Sequence, residues 1–281
     1  MDAARFEEVL QISASTEAVR RLVKLNYWDN QWWSRHIKDW RLKILLCGLS
    51  ARVAYRTIQT YQHVTNKLCE IGYDKLTRLS EGEFKTILAP LGLKDTRWRF
   101  WQSVQRFCER YEERQEELAR LSNDEFIELL RKEIWGAGYK VAQASVLYIR
   151  GYHSGVIVVD SGMRNLLAPC LGFATNPSDK GYELMRRQLE ALAPTINCQD
   201  LLRETGYGDI AKRLAPDEVD HWWVHLVLIY FKREFCNAHR PEQCPLLRAR
   251  LVVDPSKPAC GGVEQRRNRE REVCERLNGG P

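Results

Sequence analysis

A helical apolar pattern that stops at Ile134-Trp135-Gly136-Ala137-Gly138 and restarts at Tyr139 constrains this chain more than any other feature. Asn123-Asp124-Glu125 reads as a helix start, with short polar side chains and early negative charge. Phe126, Leu129, Leu130 and Ile134 follow at helical spacing. Gly136 and Gly138 can take backbone angles that other residues resist. A second helix is expected from about Tyr139, with Val141, Ala144, Leu147 and Tyr148 on one face. A glycine turn that opens a helix points backbone N–H groups outward, which suits a phosphate. The same turn serves equally as a tight helix–helix connection with no ligand.

Two charged residues follow the turn. Lys140 falls in the first turn of its helix, where the positive end of the helix dipole disfavours an ammonium. A neutral amine is what nucleophilic attack on a sugar carbon needs; the plain alternative is a solvated surface charge. Asp160 ends the apolar run Val156-Ile157-Val158-Val159 and precedes Ser161-Gly162-Met163-Arg164. It is expected to cap a helix, a role compatible with catalysis because a capping carboxylate stays ionised. The apolar run is read as a buried extended connector, since no partner strand is evident.

The rest of the chain carries helical periodicity over Ala18–Leu25, Leu42–Tyr55, Phe100–Leu118, Phe126–Ile134, Val141–Ile149 and His225–Phe235. The expected class is therefore all-α. The 281 residues suffice for one large or two modest domains. A net charge of +6 is consistent with an anionic partner without requiring one. No run of about eighteen apolar residues occurs, and the N-terminus lacks the apolar core of a signal peptide. With nine cysteines, an odd number, the expectation is an intracellular protein with reduced thiols and no membrane partner. Residues 255–281, rich in Arg and Glu, read as a loose charged tail.

Other chemistry is poorly supported. There is no Cys-x-x-Cys pair, no His-Glu-x-x-His pattern and no phosphate-loop signature. His36, His63 and His153 are isolated, and His239 lies between Cys236 and Cys244. The aromatic run Asn26–Trp33 and the pair Trp222-Trp223 are expected to pack against one another in one core, with stacking on an unpaired base as the alternative. Trp98 and Trp101 share a helix with Arg97 and Arg99; its apolar face is expected in the core, and its arginines are candidates for phosphate contact. Glu112-Glu113 and Glu116-Glu117 read as a solvated helix face.

Taken in order, these segments resemble the helix-hairpin-helix DNA glycosylases of the endonuclease III superfamily, over about residues 41–244. The family's hairpin reads like Leu-Pro-Gly-Val-Gly-Arg-Lys, followed some twenty residues later by an apolar stretch ending Val-Asp. This chain supplies Ile134–Lys140 and then Val158-Val159-Asp160. Leu49-Ser50-Ala51-Arg52 is similar to the family's Leu-Ser-Ala-Gln segment, and Leu91-Gly92-Leu93-Lys94-Asp95-Thr96-Arg97 to its Ile-Gly-Leu-Tyr-Asn-x-Lys segment. His225–Tyr230 leading to Cys236 resembles the helix that enters the family's iron–sulfur loop.

The resemblance implies two helical lobes with a DNA-binding cleft between them: a central lobe over 41–155, and a second lobe built from 1–40 plus 156–254. It implies base flipping, Asp160 stabilising positive charge on the sugar, and Lys140 attacking C1′ to form a Schiff base before β-elimination. Gly136, Ala137 and Gly138 would hold a phosphate, Arg52 would fill the gap left by the flipped base, and Leu93 would wedge the opposite strand. Three departures qualify it. Trp135 stands where the family has proline. Ser161–Asn165 is closer to the adenine-mismatch branch, which usually lacks the lysine. The family's Cys-x6-Cys-x2-Cys-x5-Cys loop is not present; Cys236 and Cys244 are Cys-x7-Cys, with Cys260 and Cys274 far beyond. No cofactor is expected.

The function implied is base-excision repair: a DNA glycosylase with abasic-site lyase activity, working as a monomer on duplex DNA that carries a damaged, mismatched or abasic site. The alternative is a monofunctional or binding-only member of the same fold. The excised base is not legible, because the pocket side chains come from several helices; lysine-bearing relatives point toward damaged pyrimidines.

Overall fold

The computed structural model describes residues 1–215, 218–238 and 240–254. Every regular element among them is helical, so the chain is all-α. First come α1 (Ala3–Ser15) and α2 (Glu17–Tyr27). Then follow α3 (Trp40–Leu49), α4 (Ile58–Ile71), α5 (Tyr73–Leu76), α6 (Glu81–Leu88), α7 (Lys94–Tyr111), α8 (Gln115–Arg120), α9 (Asn123–Glu133) and α10 (Tyr139–Arg150). The last are α11 (Ala168–Leu171), α12 (Lys180–Leu192), α13 (Cys198–Glu204), α14 (Gly208–Ala211), α15 (His221–Phe231) and α16 (Pro245–Arg248). No helix among the described residues is long and apolar enough to cross a membrane. Val156–Val159 is buried and lies outside any helix or strand.

The chain divides into two compact units, 28–158 and 1–27 with the chain from Val159 onward. The sequence reading kept the first forty residues with the C-terminal segment; the structure keeps only Met1–Tyr27 there. The reason lies in the aromatic run. The Trp222 indole N–H donates to the Tyr27 carbonyl at 3.0 Å, whereas the Trp32 ring lies 4.9 Å from Tyr61 and Tyr152 donates to the Trp33 carbonyl. The run therefore splits after Tyr27, and only its first part packs with Trp222.

In the 28–158 unit, α10 packs on α3 and α9, and α7 on α3 and α6. Ser80 and Ser122 close capping boxes with Glu83 and Glu125, which fixes the starts of α6 and α9. Phe84 and Trp101 stack at 5.3 Å in the core. Helices α3 and α7 meet at Gly48, where a Cβ would fall 2.1 Å from the Phe100 ring. The helix expected over 42–55 stops at Leu49, because Arg52 takes a left-handed φ of 59°. The helix expected over 100–118 starts earlier, at Lys94, and breaks after Tyr111. Glu112 to Glu117 offers no apolar side chain to the core until Leu118, and Glu112 pairs instead with Arg41 at 3.0 Å.

In the other unit, α15 packs on α1 and α2 and is buried from Trp222 to Phe231. Asp220 caps it, accepting from the Trp223 N–H at 3.0 Å. Two π-helical turns, Met163–Leu167 and Lys232–Cys236, pack against each other. The helix expected over 225–235 thus changes from α to π after Phe231. Such wide turns are uncommon and recur at functional positions.

Candidate functional site

The segment from Ile134 to Gly138 joins α9 to α10 in a tight turn. Gly136 has φ 83°, which a side chain would resist, and it faces Phe100, 3.5 Å from where a Cβ would sit. Gly138 departs from expectation: at φ −73° and ψ 177° it is extended backbone open to any residue. As the N-cap of α10 it places no side-chain cap over the helix N-terminus. Ala137 is buried. Trp135 is 39% exposed, and the Arg99 guanidinium lies 4.1 Å from its ring. The Trp135 N–H donates to Ser103 Oγ at 2.8 Å. The turn borders an open cleft whose rim includes Arg106, Arg131 and Lys132.

Lys140 sits in the first turn of α10, as its spacing predicts. Its Nζ donates to Ser50 Oγ at 2.7 Å, and Ser50 donates onward to the Cys47 carbonyl at 2.7 Å. Burial pushes the nearby Cys47 thiol up to about 12 despite the Lys140 charge, so it stays protonated.

Arg52 and Leu93 share an unusual backbone. Their φ values are 59° and 51°, left-handed angles at which a Cβ is strained. Such residues persist only where the surroundings fix them, and they gather at working sites. Arg52 is exposed, and Leu93 is 45% exposed although apolar. Arg97 does the fixing. Its guanidinium is buried and donates to Leu49 O at 2.7 Å and Ala51 O at 3.3 Å on one loop, and to Gly92 O at 3.0 Å and Leu91 O at 3.4 Å on the other. Burial disfavours its charged form, a cost these four carbonyl bonds offset. Arg97, a candidate for phosphate contact in the sequence, instead points inward and ties together the loops that carry Arg52 and Leu93.

Asp160 lies in the other unit. Its Oδ1 accepts the Met163 N–H at 2.8 Å, the expected helix-start cap, although the helix begins with a π turn. Its Oδ2 lies 2.5 Å from Lys232 Nζ, and the Lys232 side chain is only 2% exposed. Burial alone would raise the carboxyl, but Lys232 and the Met163 N–H outweigh it and hold it at about 2. Burial pulls the Lys232 amine down, against the upward pull of Asp160.

Cys236 and Cys244 are buried and line a small apolar cavity with Cys170, Leu167, Phe231 and Phe235. Burial raises the Cys244 thiol, which favours the neutral form rather than a metal-ligating thiolate. Among the described residues no group of three or more His, Cys, Asp or Glu side chains gathers as a metal site. The described cysteines by themselves therefore do not make up a cluster's ligand set; Cys260, Cys274 and His239 lie outside the described residues.

No family model, no curated protein and no solved structure matches this chain. The site therefore rests on its own geometry. Sequence reasoning missed Arg97 as a structural tie, Ser50 as the Lys140 acceptor, and Lys232. Arg97 carried a signal: with Phe100, Trp101 and Val104 it falls on the buried stripe of α7. Lys232 carried little, because its partner lies seventy-two residues away.

Proposed function

We propose that the protein is a DNA base-excision glycosylase with abasic-site lyase activity, of the helix-hairpin-helix kind that its sequence resembles. The observation that carries the reading is the left-handed backbone at Arg52 and Leu93. The resemblance names those two positions as the ones inserted into DNA, and strained, exposed residues tied by one buried arginine suit a rigid probe of a distorted duplex. The turn at Gly136 and the uncapped α10 N-terminus suit a phosphate beside it.

On this reading the protein binds duplex DNA that carries a damaged, mismatched or abasic site. A nucleotide is flipped out of the stack. The negative charge of Asp160 stabilises the sugar cation as the C1′–N bond breaks. The Lys140 amine bonds to C1′, the ring opens to an imine, loss of a C2′ proton expels the 3′ phosphate, and water then frees the lysine. Damaged pyrimidines are the proposed substrates, on the resemblance to lysine-bearing relatives alone.

Borohydride trapping on a duplex with one abasic site tests it. A covalent adduct with the wild type, absent with Lys140→Gln, is the expected result. No adduct from the wild type, with tight and salt-sensitive binding retained, would overturn the lyase assignment and leave Lys140 as a phosphate contact.

A further inference from the structure

Lys232 opens the π turn that follows α15, and its side chain is almost wholly buried. A buried ammonium is costly unless a counter-charge meets it at close range. Here Asp160 Oδ2 does so at 2.5 Å, while Oδ1 is occupied by the Met163 N–H. Gly162 makes the approach possible. A Cβ there would fall 2.5 Å from Lys232 Cδ and 2.9 Å from its Nζ. The backbone is thus notched to admit this one side chain, and two π turns packed on each other supply the path.

We propose that Lys232 is a positioning residue for Asp160: it fixes the carboxylate's orientation and keeps it ionised, so that Asp160 stabilises charge on the sugar and does not donate a proton. The inference rests on the functional reading of Asp160. When the C1′–N bond breaks, its electron pair goes to the departing base, whose proton then comes from solvent water. Of the other groups in this unit that act on the pair, Arg233 adds positive charge that also favours the carboxylate. Burial raises the Tyr182 phenol and so keeps it neutral. Cys236 favours the charged amine, and the Asn237 amide borders Gly162.

The carboxyl of Asp160 can be followed directly by 13C NMR in protein labelled at aspartate, with Asp160→Asn identifying the signal. In the wild type it stays ionised down to about pH 3, and in Lys232→Met its midpoint rises by about two pH units. Gly162→Ala leaves every charge in place but displaces Lys232, and is expected to raise the midpoint in the same direction. It carries the test if Lys232→Met does not fold. An unmoved midpoint in the folded variants overturns the inference.

Base release is then measured on duplexes carrying 5-hydroxyuracil, mismatched thymine or 8-oxoguanine, using the one the wild type opens. In Lys232→Met the rate falls about tenfold per pH unit below the new midpoint, a limb the wild type lacks. Failure of the functional reading looks different. Asp160→Asn would then release base as fast as the wild type, which overturns both the reading and the positioning role, although the titration still moves. A dead Asp160→Asn beside an unmoved titration overturns the Lys232 inference alone.

Discussion

Each compact unit contains a buried cation that holds a candidate functional group, and the two cations do it differently. Arg97, in the 28–158 unit, spends its charge on neutral acceptors: four backbone carbonyls from two loops. Lys232, in the other unit, meets one carboxylate. A guanidinium stays protonated at any pH a protein survives, so the loops bearing Arg52 and Leu93 are held independently of pH. The Lys232–Asp160 pair depends on both members keeping their charge. One unit has a fixed shape, the other a fixed charge that acid can remove. Lys140 donates to one neutral acceptor, the Ser50 hydroxyl, at 2.7 Å. On the proposed reading, a neutral acceptor suits an amine that has to lose its proton before it attacks.

Removing either buried cation should have the largest effect on stability. Lys232→Met leaves a part-buried carboxylate without its counter-charge and is expected to cost about 3 kcal/mol in urea unfolding. Adding Asp160→Asn should return much of that loss. A double variant no more stable than the single would show that the unpaired carboxylate is not what destabilises Lys232→Met. Arg97→Met leaves four carbonyls without their donor and should cost about 3 kcal/mol. Arg97→Lys should restore little, because one ammonium cannot reach both loops. In fluorescence binding, both Arg97 variants should lose preference for an abasic duplex over an intact one while retaining salt-dependent binding to each.

Acid separates the two cations more gently. The folded carboxyl of Asp160, held at about 2, lies below its ordinary value of 3.8. The difference amounts to about 2 kcal/mol of stability, present above pH 4 and lost as pH falls from about 4 to 2. Comparing the wild type with Asp160→Asn by thermal melting between pH 7 and 3 should show the gap closing on the acid side. The smallest effect is expected for Ser50→Ala, about 1 kcal/mol, with the borohydride adduct still formed. An adduct lost with Ser50 would mean that the hydroxyl does more than accept a hydrogen bond.

The parts of this arrangement that were legible are those governed by local chemistry. Gly136 had to be glycine, Lys140 had to fall in a first turn, and Asp160 had to cap, because each follows from neighbours within four residues. The misreadings concern groups whose partners are far along the chain. Arg97 was a candidate for phosphate contact because arginines usually face out, yet the carbonyls of Leu49 and Ala51 take it inward. Trp32 and Trp33 were expected beside Trp222 because aromatic runs suggest one core. Tyr61 and Tyr152 claim them instead, which moves the boundary between the units to Tyr27. The left-handed backbone at Arg52 had no local signature, since neither glycine nor asparagine marks it.

The π turns at Met163–Leu167 and Lys232–Cys236 each close a hydrogen-bonded loop one residue wider than an α turn. Deleting a single residue from the second would let α15 continue in α register and rotate everything beyond it by about 100°. The thiols of Cys236 and Cys244 would then face new neighbours. A one-residue gap there, in any variant of this protein, is therefore a change of helical phase, and it matters more than a substitution at most positions on the same helix.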